Sequence, residues 1–325
     1  MLTDQHGRRI TYLRVSLTDR CNLRCRYCMP AEGVPLKQHA DLLTFEEIVA
    51  IVQAGVELGI TKVRLTGGEP LVRKGAVELV RMLAGVPGIR DLAMTSNGLL
   101  LSQYAAQLRQ AGLQRINISL DTLKPDRFQY MTGSDAWQQV MDGIAAALAA
   151  GFEQVKLNVV AIRGYNDDEI ADFIRFVYDK PLHLRFIEFM PVGNAFWAPE
   201  KLIPAAEIKS AAGAVAKLVR FITSDRNTAV EQYGIEGSPA TVGFIAAMSE
   251  KFCARCTRLR LTADGFLKPC LACRNEINIK IPVRQGHRGA ELKRTFYEAL
   301  RLKPHKHTME SGAAETKRHM AEVGG

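Results

Sequence analysis

Short apolar runs alternate with longer amphipathic ones through about residue 195. Tyr12–Leu17, Lys62–Thr66, Asp91–Thr95, Arg115–Leu120, Gln154–Val160 and Leu184–Glu188 are β-branched or leucine-rich and end in polar or glycine residues, which predicts six strands. The helices between them carry start signals. Thr44-Phe-Glu-Glu47 predicts a capping box before Ile48, Val49 and Val52. Asn166-Asp-Asp-Glu169 predicts another before Ile170, Phe173, Ile174 and Val177, whose spacing places them on one helical face. Val140, Ile144 and Leu148 form a third stripe that stops at Gly151.

Strand–helix alternation at this pitch predicts an α/β fold with a parallel sheet. Six units are too few to close an eightfold barrel by counting. The pattern alone leaves a partial barrel and an open doubly wound sheet as alternatives, and in both the loops after the strands build the site. From about 195 to 245 the signal weakens, with Leu218–Thr223 and Thr241–Ala246 reading as strands of a smaller unit. The stretch from Leu302 is polar, basic and histidine-containing, and ends in Gly324-Gly325. Two regions are expected, 1–195 and 196–325.

At 325 residues and 47% hydrophobic, the chain can bury a full core. No apolar run approaches the roughly 18 residues of a membrane span, and the first residues lack the apolar stretch of a signal peptide. A cytoplasmic protein off the membrane is expected. The net charge of +9 calls for an anionic partner: nucleotide, nucleic acid or acidic surface. No arginine–aromatic interleaving or known nucleic-acid motif favours the second.

The seven cysteines fall in two groups rather than scattering. In Cys21-Asn-Leu-Arg-Cys25-Arg-Tyr-Cys28, three thiols lie one short of a closed four-coordinate site. A structural zinc would want a fourth ligand in paired spacing, and His39 lies outside it. An iron–sulfur cubane on three thiolates instead keeps one iron open for a small molecule. After the strand Lys62–Thr66 comes Gly67-Gly68-Glu69-Pro70, where backbone can approach a ligand closely. Other predicted strand ends offer Thr95, Ser119 with Asp121, Lys156 with Asn158, and Glu188 with Met190. The second group sets Cys253 and Cys256 apart from Cys270 by a predicted hairpin turn at Asp264-Gly265. Cys273 completes a zinc-ribbon spacing, so these residues alone leave zinc and iron–sulfur open. Arg258 and Arg260 flank Leu259 and would share one face of a strand.

CxxxCxxC with Tyr27 before its last cysteine resembles the signature of the radical S-adenosylmethionine (SAM) superfamily. The resemblance implies a partial (β/α)6 barrel with a C-terminal extension. It also implies a 4Fe-4S cluster on Cys21, Cys25 and Cys28 that cleaves SAM to methionine and a 5′-deoxyadenosyl radical. The Gly-Gly-Glu-Pro loop is similar to the one that receives the SAM amino group. The run from Cys253 through Arg258, Arg260 and Asp264-Gly265 to Cys270-Leu271, with Gly324-Gly325, resembles the GTP 3′,8-cyclase family of molybdenum cofactor biosynthesis. That family implies a second 4Fe-4S cluster on Cys253, Cys256 and Cys270, whose open iron meets the guanine. Hydrogen abstraction from ribose C3′ and attack on C8 then give 3′,8-cyclo-7,8-dihydro-GTP.

By position, the resemblance assigns SAM to Tyr27, Gly68, Ser119 and Met190. It assigns GTP to Arg14, Arg64, Thr95, Lys156, Arg258 and Arg260, and gives Arg258, Arg260, Gly324 and Gly325 a catalytic part. It further implies a flavodoxin- or ferredoxin-like electron donor and cyclic pyranopterin monophosphate synthase downstream, and is compatible with a homodimer. Two departures stand out: Thr257 where the family commonly has Asn, and the additional thiol of Cys273. The rivals are a peptide-modifying radical SAM enzyme, and a zinc- and nucleic-acid-binding module. The first is expected to have more C-terminal cysteines.

Overall fold

The computed structural model describes residues 1–193, 196–220, 230–309 and 315–324. One sheet runs through it, with strands β1 (Tyr12–Ser16), β2 (Lys62–Thr66), β3 (Asp91–Ser96), β4 (Arg115–Ser119), β5 (Gln154–Ala161) and β6 (Leu182–Glu188) in chain order. Each is parallel to the next. A doubly wound sheet reverses its strand order at a switch point; this one does not. The first half is therefore a partial barrel of six strands. Helices α1 (Phe45–Glu57), α2 (Ala76–Ala84) and α3 (Leu101–Gln110) follow β1, β2 and β3; α4 (Pro125–Thr132) and α5 (Trp137–Ala149) both follow β4, and α6 (Ile170–Val177) follows β5.

The second half does not build a sheet of its own. Its strands β7 (Leu218–Arg220), β8 (Glu231–Ile235), β9 (Thr241–Ile245), β10 (Arg258–Leu261), β11 (Phe266–Lys268) and β12 (Ile277–Asn278) extend the same sheet at both edges, in the order β12-β11-β10-β1 and β6-β9-β8-β7. β10 joins β1 and β9 joins β6, both parallel. Helices α7 (Ala205–Gly213), α8 (Lys280–Arg284), α9 (Ala290–Arg301) and α10 (Met320–Val323) complete the described chain. The predicted strand Leu218–Thr223 ends at Arg220, and its remainder lies outside the described residues.

Local sequence explains most of these elements. Thr44 caps α1 as predicted: its hydroxyl accepts from the Glu47 amide at 3.2 Å, and the Glu47 carboxylate accepts from the Thr44 amide at 2.8 Å. The second predicted capping box is corrected. Asn166 makes no cap; its amide donates to the carbonyls of Asp121 and Val160, and its oxygen accepts from the Ile162 amide. Glu169 turns inward to accept from Thr122 Oγ1 and the Leu123 amide, both at 2.7 Å. Tertiary partners inside the barrel outcompeted the local cap.

Along β1 and β2, Leu13, Val15, Val63 and Leu65 are buried in the main core, whereas Tyr12, Arg14, Lys62 and Arg64 alternate to the opposite face and line a cavity. Parallel strands covered on both faces usually read as continuous apolar runs. Here the inner face is ionic because it encloses a cavity instead of a core.

Candidate active site

That cavity has a volume of about 430 Å³, and both cysteine trios line it. Cys21, Cys25 and Cys28 occupy the loop after β1; Cys253, Cys256 and Cys270 come from the loop before β10 and the end of β11. Among the described residues, no three His, Cys, Asp or Glu side chains converge on the single point a lone metal ion needs. His39, the alternative zinc ligand, sits in an exposed turn.

The first trio is held by glycine. The Gly68 amide donates to the Thr18 carbonyl at 2.8 Å, and the Glu69 amide donates to the Arg20 carbonyl at 2.8 Å. A Cβ on Gly68 would stand 2.2 Å from the Arg20 oxygen, so a side chain there would push the cysteine loop away. The buried Glu69 carboxylate accepts from the amides of Leu71 and Asn97 and from Ser96 Oγ, pinning the loops after β2 and β3 together. Burial pushes its carboxyl up to about 7. Tyr27 donates its hydroxyl to Asp121 at 2.6 Å, and burial raises Asp121 to about 6. Ser119 and Met190 line the cavity from the ends of β4 and β6. Burial raises all three thiols, Cys28 to about 12.

The other side of the cavity is cationic. Arg260, Arg14 and Arg64 stand side by side at one register across β10, β1 and β2. Like charges on neighbouring strands repel. Burial first, then the neighbouring guanidiniums, depress Arg14 well below the ordinary range and bring Arg260 down to about 10. Lys156 on β5 falls to about 5 through burial and the charges of Arg185, Arg115 and Arg64. The carboxylates lining the cavity are Asp121, taken by Tyr27, and Asp91, which pairs with Arg115. Arg64 Nε, Thr95 Oγ1 and Tyr12 Oη are buried with no hydrogen-bond partner among the described residues. Buried polar atoms ordinarily have one. A polar, polyanionic occupant fits both facts.

The second trio depends on a hairpin. Thr262 and Phe266 pair across the turn, Gly265 takes φ +81°, and β11 carries Cys270 back toward Cys253 and Cys256. Burial pushes the Cys256 thiol up, but the charges of Lys303 and Arg258 outweigh it and hold it below the usual thiol range. Cys270 is likewise held below the usual thiol range, by the neighbouring Cys273 thiol first, with Lys303 also lowering it. Cys273 itself is buried outside the cavity lining; its thiol faces the carbonyls of Cys270 and Asn275, each at 3.5 Å. Completing the zinc-ribbon spacing in sequence does not bring Cys273 into the chamber.

The C-terminal segment closes the site. Arg318 forks onto both oxygens of Glu276 and contacts Asp264 in the hairpin turn. Beyond it, Arg260 donates to the carbonyls of Val323, at 3.1 Å, and Gly324. A Cβ on Gly324 would lie 2.1 Å from Thr66 Oγ1, and its φ of +71° is itself costly for other residues. Gly325 lies outside the described residues.

A model of the radical SAM superfamily matches residues 15–177, and one for molybdenum cofactor synthesis C matches 182–309. The GTP 3′,8-cyclase of Moorella thermoacetica is 51% identical over 324 residues, and that of Pelotomaculum thermopropionicum is 47% identical over 326; both alignments span 100% of each chain. The chain belongs to the GTP 3′,8-cyclase family. Among solved structures, Streptococcus suis SuiB bound to S-adenosylmethionine is similar at TM-score 0.63 and 16% identity, over 90% of this chain and 68% of that one. At that identity the likeness is one of fold.

For a member of the GTP 3′,8-cyclase family, most residues singled out in the sequence do meet. The cavity brings together Arg14, Tyr27, Arg64, Gly68, Thr95, Ser119, Lys156, Met190, Arg258 and Arg260 with the two trios. Glu188 does not serve a ligand. Its buried carboxylate accepts from the amides of Ala205, Met248 and Ser249 and ties β6 to the following region. Arg185 was missed. It faces the cavity from β6, where burial and the charges of Arg64 and Arg115 bring it to about 9. The clue was the alternation in Leu182-His-Leu-Arg-Phe-Ile-Glu188, which points Arg185 away from the buried leucines.

Proposed function

We propose that this chain converts GTP to 3′,8-cyclo-7,8-dihydro-GTP, the first step of molybdenum cofactor biosynthesis. Two 4Fe-4S clusters and SAM fit the donor sets present, and when bound they supply the 5′-deoxyadenosyl radical that takes the ribose C3′ hydrogen. Cys21, Cys25 and Cys28 would hold one cluster. Cys253, Cys256 and Cys270 would hold the other, with Cys273 outside it. The chain's own residues orient the reactants. Gly68, Ser119, Tyr27 and Met190 form the SAM end, where glycine backbone and Asp121 suit a sulfonium and an amine. Arg14, Arg64, Thr95, Lys156, Arg258 and Arg260 form the GTP end, where guanidinium forks match phosphate oxygens. Arg260 also holds the Gly324 carbonyl, so tail and substrate share one cation.

The row Arg260–Arg14–Arg64 carries this reading. Arg260 is buried and Arg14 and Arg64 are half-buried at that register, where their like charges repel, and a triphosphate supplies an anion of several charges to lie against them. We infer a low-potential flavodoxin or ferredoxin-like donor, a cytoplasmic setting, and passage of the product to cyclic pyranopterin monophosphate synthase. Among the described residues no helix is long and apolar enough to cross a membrane. Anaerobic incubation with SAM, reductant and each nucleoside triphosphate tests the assignment. 5′-Deoxyadenosine should form with GTP and not with ATP, CTP or UTP. Equal formation with all four, or with none, would overturn it.

A further inference from the structure

The stretch from Leu302 reads in sequence as a basic, solvated tail, yet Lys303 is only 2% exposed. Its ammonium donates to the Arg258 carbonyl at 2.7 Å and the Pro269 carbonyl at 2.6 Å, and lies 3.6 Å from Cys256 Sγ. Three donors meet three acceptors, all of them on the two arms that carry Cys256 and Cys270. Among the described residues no carboxylate pairs with Lys303. A buried ammonium is costly unless an anion compensates it. Here the sulfur of Cys256 is the group beside it that can carry the charge. Arg8 ties the same segment to the start of the hairpin: its guanidinium donates to the Cys253 carbonyl at 2.9 Å and to the carbonyls of Pro304 and His305 at 2.8 and 3.0 Å. The segment is thus fixed against both Cys256 and Cys253.

The geometry points to Lys303 as the positioning residue of the second cluster: one buried ammonium clamps both arms of the hairpin and donates N–H···S to the Cys256 thiolate. It rests on the second trio holding an iron–sulfur cluster. Hydrogen bonds to cluster sulfurs and nearby positive charge favour the reduced state. Lys303 therefore sets the second cluster's potential upward relative to a neutral residue at that position. The first trio has no lysine or arginine hydrogen-bonded to its sulfurs among the described residues.

Lys303→Met and Lys303→Arg in the full chain, reconstituted anaerobically, test this through iron content and an EPR-monitored reductive titration. The second cluster's signal is identified by its absence in Cys270→Ala. Lys303→Met should either shift that signal to a more negative potential or lose it with half the iron, leaving the first cluster's signal intact. Lys303→Arg should recover part of the shift or of the iron. A Lys303→Met protein with the unaltered signal at the unaltered potential would overturn the inference, as would an arginine variant no better than methionine. If the unsubstituted chain takes up only one cluster's iron, it is the functional reading that fails, and that outcome is visible before any variant is made.

Discussion

The two cysteine trios hold their thiols by opposite means. Cys21, Cys25 and Cys28 lie within one loop, backed by glycine and by the buried acids Glu69 and Asp121, and burial raises every thiol. Cys253, Cys256 and Cys270 are gathered by a hairpin; burial raises Cys253 too, but Cys256 and Cys270 are lowered, by Lys303 with Arg258 and by Cys273 respectively. The contrast extends across the cavity. Carboxylates and backbone carbonyls stand at the first trio; guanidiniums stand at the second. SAM is a sulfonium cation and GTP a polyanion, so the proposed placement sets each against the end whose charge suits it.

Removing a ligand from the assembled trio should be the harshest way to test that contrast. Cys270→Ala is expected to abolish turnover and half the iron, whereas Cys273→Ala should keep both near their original values. Loss of a cluster from Cys273→Ala would show that the thiol facing two carbonyls is a ligand after all. Next comes the tail. Gly324→Ala would drive a methyl into Thr66, and if the tail acts in catalysis as proposed, misplacing it by about 1 Å costs roughly 100-fold. Turnover should fall on that scale with iron content unchanged.

A smaller effect is expected at the guanidinium row, with a revealing sign. Arg64→Gln removes a charged hydrogen-bond donor worth about 1.5–3 kcal/mol, or roughly ten- to a hundredfold in GTP dissociation constant. It also relieves repulsion in the free protein, so the melting temperature should rise as affinity falls. A variant that loses both affinity and stability would mean Arg64 is structural. The finest test is proton uptake. Lys156, at about 5 in the free protein, is neutral at pH 7, and a bound triphosphate favours its charged form. GTP binding should then take up about one proton, and affinity should decline as pH rises above the free pKa. Calorimetry in buffers of different ionisation enthalpy reads this directly; zero uptake at pH 7 would show that Lys156 keeps the same charge in the free and bound states.

Local signals were reliable wherever neighbours in sequence are neighbours in space. Thr44 capped its helix, the six strand runs became β1 to β6 within one or two residues, and the first trio needed only its own loop. The same reasoning missed at Asn166, where a local capping pattern lost to partners across the barrel. It could not reveal Glu188 as a structural tie, whose partners Ala205, Met248 and Ser249 are distant in sequence, whereas the alternation along β6 did carry the signal for Arg185.

What the sequence determined by itself was periodicity and donor chemistry: strand and helix alternation, two sets of thiols, and arginines spaced to share a strand face. What only the tertiary structure decided was register. β10 lies beside β1, although more than two hundred residues separate them, and that single parallel pairing aligns Arg260 with Arg14 and Arg64, brings the second trio to the first, and leaves Cys273 outside. Side-chain periodicity operates over a few residues, whereas a sheet edge accepts whichever distant strand best buries its outer face and satisfies its backbone. The choice of partner for β1 is made by the whole fold.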